Sequence, residues 1–315
     1  MAGMSEGYGT SAVRLLVVTN ASAGSTDDER VESALAVLRG SADVRVESCS
    51  DPEDLGRILA GRDGRTPVLM GGDGSVHTAV ATLLARGELS ADLPLGLVPL
   101  GTGNDLARTL GIPLDPADAA RALLTARPRA LDLIIDDAGG VVVNVVHLGV
   151  GAEAAQRAGG LKDRLGKAAY AVGGVLAGAT TTGWDLRVSV DGSTVDTDGP
   201  VLMVGIANGR TIGGGAEIAP DAVPDDGLLD VVVATSTGPL ARLGFGVAMR
   251  DGEHVERDDV LSVRGRTVTV SGEAFPLNAD GELDGPVSTR TWTVEPAAWA
   301  MLVPGGGPTS SVGSG

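Results

Sequence analysis

Along the first 126 residues the apolar positions follow two alternating periods. Arg14–Thr19, Pro67–Met70 and Leu95–Val98 are short continuous apolar runs, the pattern of strands buried on both faces. Val44-Arg45-Val46-Glu47 alternates apolar and polar positions and predicts a fourth strand. Between these runs the period lengthens. Val31, Ala34, Leu35 and Leu38 recur at i, i+3, i+4 and i+7, one face of a helix, with Thr26 as N-cap and Glu29 completing a capping box. Asp51-Pro52 opens a second helix that turns Leu55, Ile58 and Leu59 inward. Further helices are predicted over 76–86, from about Asp105, and over 116–126. Strands alternating with helices imply a mostly parallel, doubly wound α/β domain over residues 13–130.

The pattern changes at about Leu131. Leu131–Asp136 and Val141–Leu148 read as a hairpin about Ala138-Gly139-Gly140. Trp184–Val190, Val201–Ala207, Leu228–Ala234, Asp259–Val263, Arg266–Ser271 and Thr289–Val294 read as further short strands. Their spacing predicts an antiparallel β-sandwich domain over residues 131–303. Helical insertions are expected around Leu161–Thr180 and Pro239–Arg250, and the segment 297–303 is expected to return to the first domain. The ends, 1–12 and the Gly-, Ser-, Thr- and Pro-rich 304–315, read as disordered tails.

Composition narrows the classes. Aromatic residues make up only 2% of the chain, so the core must be built from Val, Leu, Ile and Ala. A formal net charge of −17 argues against a nucleic-acid partner, which requires clustered Lys and Arg. It also leaves any approach to an anionic membrane to a local basic patch. The one such patch is Arg157, Lys162, Arg164 and Lys167, followed by Tyr170 and the apolar run 171–177. It reads either as a lipid-facing segment or as an ordinary amphipathic helix packed on the sandwich. A single cysteine, Cys49, excludes an internal disulfide and favours the cytoplasm. The N-terminus lacks a secretory pattern, and the most apolar windows, 141–152 and 168–179, fall short of the ~20 residues that span a bilayer. A cytoplasmic protein, peripheral at most, is expected. The sequence fixes no oligomeric state and is compatible with a homodimer.

Candidate chemistry centres on two glycine-rich turns. Gly71-Gly72-Asp73-Gly74-Ser75 and Gly101-Thr102-Gly103-Asn104-Asp105 each leave a predicted strand and open a predicted helix. Such turns bare backbone N–H groups and aim a helix N-terminus at an anion. On neighbouring strands they would make one phosphate cradle. Gly71, Gly72, Gly74, Gly101 and Gly103 let the backbone approach phosphates, and Ser75 and Thr102 offer hydroxyls. Asp73 and Asp105 are the candidate Mg²⁺ ligands, since Mg²⁺ takes one or two carboxylates plus phosphate oxygens. Taken alone, either turn is as readily plain turn chemistry.

The ordered set Asn20-Ala21-Ser22-Ala23-Gly24, Gly71–Ser75, Gly101-Thr-Gly-Asn-Asp-Leu-Ala-Arg108 and Asp280-Gly281-Glu282 resembles the diacylglycerol kinase catalytic family, which includes bacterial lipid kinases and sphingosine kinases. Asn208-Gly209, Gly213–Gly215, Ala219-Pro220 and Asp226-Gly227 through Asp230 resemble its bacterial branch. The resemblance runs from about residue 13 to 303. It implies a first domain like those of phosphofructokinase and NAD kinase, a β-sandwich second domain, and ATP in the cleft with a lipid hydroxyl such as that of diacylglycerol as acceptor, hence a role in phospholipid metabolism. It further implies nucleotide contacts from Asn20, Gly71, Gly72, Asp73, Gly74, Ser75, Gly101, Thr102, Gly103 and Asn104, with Asp280 as general base, Glu282 as its support and Asp226 as ligand of a second metal.

The sequence departs from the family where several members carry His-Glu or Asn-Glu after the first turn; here it reads His77-Thr78. The missing carboxylate bears on metal or nucleotide binding, and His77 is read as a structural helix residue. Ala21 replaces a proline common in the first loop. His147 and His254 are assigned no chemistry. A NAD kinase-like soluble-metabolite kinase, and a non-catalytic lipid- or nucleotide-binding regulator, are the alternatives.

Overall fold

A computed structural model describes residues 13–20, 25–149, 152, 183–235 and 238–305. The predicted helix 161–180, the basic cluster Arg157, Lys162, Arg164 and Lys167, residues 1–12 and nearly all of the 304–315 tail lie outside the described residues.

The apolar runs of the first lobe form four parallel strands, β1 (Arg14–Asn20), β2 (Asp43–Cys49), β3 (Thr66–Gly71) and β4 (Gly96–Pro99), in the order β2-β1-β3-β4. Their central residues, from Leu15 to Val18, Val68 to Met70, and Leu97 with Val98, are all buried, which is why the runs carry no polar alternation. Helix α1 (Ser25–Arg39) packs beside α5 (Pro116–Leu123), and α2 (Pro52–Ala60) beside α3 (Asp73–Ala85). Asp51 caps α2, its carboxylate accepting from Asp54 N at 2.8 Å, with Pro52 in the first turn. Thr26 lies inside α1 rather than at its cap. A short helix α4 (Asp105–Thr109) follows the second glycine turn. The strand order reverses between β1 and β3, and ligands of such sheets lie beyond the carboxyl ends near that point.

The second lobe is a ten-stranded sheet, β14-β13-β10-β7-β15-β16-β5-β6, with β8 branching from β15 and β9 pairing with β8. Its strands are β5 (Arg127–Asp136), β6 (Val141–Val142), β7 (Val145–Gly149), β8 (Leu186–Val190), β9 (Ser193–Val195), β10 (Met203–Ala207), β13 (Leu229–Ala234), β14 (Val260–Gly265), β15 (Thr267–Ala279) and β16 (Glu282–Val303); β11 (Thr211–Ile212) and β12 (Ala216–Glu217) form a small separate ribbon. All pairings in it are antiparallel. The sheet folds over a core that includes Val188, Val204, Val231, Phe275 and Trp292. Helix α6 (Pro239–Arg250) flanks it.

Two expectations change. The hairpin arms β15 and β16 run to 13 and 22 residues, far beyond the apolar stretches 266–271 and 289–294. Pairing continues through register shifts between Ser271 and Phe275 and between Phe275 and Leu277, where bulges bend the arms and the apolar alternation fails. The expected strand Val141–Leu148 is split at Val143-Asn144, whose amides leave the ladder for another partner.

The lobes are stitched together at the end of the chain. Leu95 pairs in parallel with Met301; Leu95 N donates to Ala300 O at 2.9 Å and Leu302 N donates to Leu95 O at 2.8 Å. Trp299 and Met301 are buried in the core of the first lobe, as are Leu131 and Leu133 of β5.

Candidate active site

The two glycine turns meet backbone to backbone. A Cβ on Gly101 would stand 2.6 Å from the Cα of Gly72, and a Cβ on Gly72 would stand 2.9 Å from the Cα of Gly101. Leu100 N donates to Gly71 O at 2.9 Å and fixes the spacing. Only glycine tolerates this approach.

Asp73 ties the turns further. Its Oδ2 accepts from Asp105 N and its Oδ1 from Leu106 N, each at 3.0 Å, so the carboxylate of the first turn caps the helix that follows the second. Asp105 in turn reaches the other lobe. Its carboxylate accepts from Gly214 N at 2.9 Å and from Gly215 N at 2.9 Å. Asn104 holds a left-handed conformation, φ 52°, and its Nδ2 donates to Gly101 O at 2.8 Å. Its Oδ1 is buried without a partner and faces the Gly101 and Gly72 backbone. Asn20 ends β1 at the same sheet edge, and Thr102 is exposed at the tip of the second turn. The Ser75 hydroxyl folds back over Gly71. Thr78, where the family often has a carboxylate, donates to Gly74 O at 2.8 Å within α3.

From the second lobe, the β15–β16 hairpin delivers Asp280. Ala279 pairs with Glu282, so Asp280-Gly281 is a two-residue turn, and both residues have positive φ, 49° and 95°. Asp-Gly suits that turn type. The Asp280 carboxylate accepts from Val143 N at 2.7 Å, Asn144 N at 3.0 Å and Val145 N at 3.1 Å, and pairs with His77 Nδ1 at 3.0 Å. These are the amides that split the expected strand. The bond to His77 joins the two lobes, since His77 lies on α3 one turn beyond Asp73. The Asp280 hydrogen bond raises the His77 pKa above its ordinary 6.5, against the opposing effect of burial, with the charges of Asp280 and Glu282 adding to the rise. Glu282 itself is exposed.

Burial raises the Asp73 pKa; the Leu106 and Asp105 amides oppose it, and the neighbouring Asp105 and Asp280 charges add to it. A cation there would relieve that crowding. Oδ2 of Asp105 and Oδ2 of Asp73 lie 3.0 and 3.1 Å from where a Gly103 Cβ would be, so both carboxylates crowd against the backbone of the second turn. Among the described residues no cluster of three or more His, Cys, Asp or Glu could hold a metal. Asp73 and Asp105 together bring two carboxylates to the joint of the turns, the number that Mg²⁺ commonly takes beside phosphate oxygens. Asp226 is not part of this group. Its carboxylate is engaged by Arg264 and by Leu228 N, and Arg264 also pairs with Asp230.

Sequence reasoning passed over Asp132. It is buried on β5, its carboxylate accepts from Gly227 N at 2.7 Å and Ala297 N at 2.8 Å, and its carbonyl accepts from Asn208 Nδ2 and Trp299 Nε1. A polar residue inside the apolar run Leu131–Ile135 was the available signal. His77 was likewise given no chemistry, and its partner lies 203 positions away.

Comparison with known proteins agrees with this layout. The diacylglycerol kinase catalytic domain matches residues 14–135, and the YegS C-terminal NAD kinase beta sandwich-like domain matches residues 144–303. A protein of Pseudomonas aeruginosa named "Probable lipid kinase YegS-like" is 35% identical over 305 residues, covering 93% of this chain and 95% of that protein. One of the same name from Stenotrophomonas maltophilia is 34% identical over 251 residues, covering 76% and 79%. The crystal structure of a diacylglycerol kinase from Bacillus anthracis str. Sterne superposes with a TM-score of 0.72 over 92% of this chain and 96% of that one; at 21% identity it speaks for the fold. The match of both domains in order, with relatives aligned over most of their length, establishes that the chain belongs to the diacylglycerol kinase catalytic family, in its YegS-like branch.

Proposed function

We propose that the protein is an ATP-dependent lipid kinase that transfers the γ-phosphoryl group of ATP to a hydroxyl of a lipid such as diacylglycerol. The observation that carries this reading is the joint at Gly72 and Gly101, two glycine turns in contact near the switch point of a parallel sheet, with Asp280 of the other lobe across the cleft. Phosphoryl transfer asks mainly for positioned phosphates and neutralised charge. The first turn offers the opening of α3, whose N-cap Gly72 has no side-chain hydrogen bond, as the phosphate-facing backbone. Asp73 and Asp105 would hold Mg²⁺, which when bound neutralises phosphate oxygens. Arg108, exposed beside Gly215 and donating from Nε to Gly103 O at 3.4 Å, adds a cation at the mouth. The Asp280–His77 pair stands on the acceptor side. Among the described residues no helix is long and apolar enough to cross a membrane. Access to lipid is assigned, on sequence alone, to the cluster Arg157, Lys162, Arg164 and Lys167.

The test is incubation with γ-labelled ATP, Mg²⁺ and vesicles containing diacylglycerol or other hydroxyl lipids. Labelled phospholipid, lost on addition of EDTA, is expected. No labelled lipid across the panel would refute the reading, and NADP formed from NAD would move it to a soluble-metabolite kinase.

A further inference from the structure

A carboxylate offers about four in-plane acceptor sites, and Asp280 has four donors on it: three successive backbone amides and the His77 ring. Its side chain is 1% exposed, against 14% for His77. A substrate hydroxyl could reach Asp280 only by displacing a backbone N–H that the fold has already committed. The imidazole is placed differently. Nδ1 faces Asp280, Nε2 has no hydrogen-bond partner among the described residues, and the side chain keeps 14% of its surface exposed. The bond to the carboxylate favours a proton on Nδ1 and leaves the Nε2 lone pair free, the arrangement by which a buried acid orients a histidine base.

We infer that Nε2 of His77 accepts the proton of the acceptor hydroxyl and that Asp280 is the positioning residue that holds the ring. The inference rests on the kinase reading above. In the step, the lipid hydroxyl oxygen forms a bond to the γ-phosphorus and the bond from that phosphorus to the β,γ-bridging oxygen breaks, so ADP leaves with that electron pair. The hydroxyl proton passes to Nε2. The resulting imidazolium keeps its Nδ1–H bond to Asp280 and later returns the proton to water. Asp280 and Glu282 face the ring from the second lobe, and Asp73 stands one turn away on α3 with Asp105 behind it. The charges of Asp280 and Glu282 favour the imidazolium. The hydrogen bond from Asp280 raises the His77 pKa, which makes the ring a stronger proton acceptor.

The test uses the full chain with γ-labelled ATP, Mg²⁺ and vesicles of the lipid that the wild type phosphorylates. His77→Gln should lower kcat by about 10²–10⁴-fold, with KM for ATP within about threefold. The wild-type kcat should fall on the acid side through the His77 pKa, and the variant should lack that limb. His77→Ala should regain activity with added imidazole, which a merely structural ring would not show. Retention of kcat within threefold in His77→Gln, or an unaltered acid limb, would overturn the inference and leave the kinase reading standing. Absence of wild-type turnover on every lipid would remove both.

Discussion

The two glycine turns look alike in sequence and are used differently. After the first, α3 runs 13 residues and its N-cap, Gly72, makes no side-chain hydrogen bond. After the second, α4 runs five residues, and the first amides of the helix are taken by the carboxylate of Asp73. Among the described residues no side chain accepts from the amides that open α3, whereas the second turn gives its helix terminus to its neighbour. Their links to the second lobe also differ. The first turn's helix reaches it through the His77–Asp280 pair, which titrates, and the second turn through Asp105 on the Gly214 and Gly215 amides. A glycine-rich turn before a helix thus marks a place where backbone groups are bared, but the partner of those groups is decided by what packs against them.

The comparison breaks most severely at Asp73. Asp73→Ala leaves the Asp105 and Leu106 amides without their acceptor and should cost about 2–4 kcal/mol, read by urea unfolding, together with loss of kinase turnover. If stability is unchanged, the capping link is not what holds the second turn. Next comes Gly101→Ala, whose Cβ would lie 2.6 Å from the Gly72 Cα. The turns must part, at a cost of about 1–3 kcal/mol, and ATP affinity should fall with them; calorimetry of ATP binding beside thermal unfolding reads both. Gly74→Ala sharpens the contrast. Its Cβ meets no protein atom within 4 Å, so folding should gain up to about 1 kcal/mol from helix propensity while KM for ATP rises about tenfold. An unchanged KM would mean that phosphate does not lie over the first turn. The smallest effect is the pH dependence of the His77–Asp280 contact. Because the folded His77 pKa is raised, the pair stabilises fully below the unfolded value of 6.5 and loses that contribution as pH rises through the folded value. Urea unfolding over that range should show the slope in wild type and not in His77→Gln.

The parallel sheet was legible in the sequence because buried strands leave continuous apolar runs, and the abutting turns because glycine spacing records close backbone approach. The lengths of β15 and β16 were not, since a bulged antiparallel arm is held by backbone bonds that leave no periodicity in Gly272-Glu273 or Gly285-Pro286. The site was legible as a set of residues and less so as contacts. Asp280-Gly281 reads as a hairpin turn whatever it faces, and only the fold shows three amides converging on it. Asp226 shows the reverse. Its place in a family-like motif suggested a ligand, and only the fold shows that Arg264, nearly 40 residues on, pairs with it.

The pairing of Leu95 with Met301 bears on how the chain is made. During synthesis the first sheet emerges early but must wait about 200 residues, until Met301 appears, before its outer rim is covered. Nascent chains halted before β16 should therefore keep that rim, beside β4, open to chaperones, and the first lobe should reach its final stability only after the segment around Met301 has emerged.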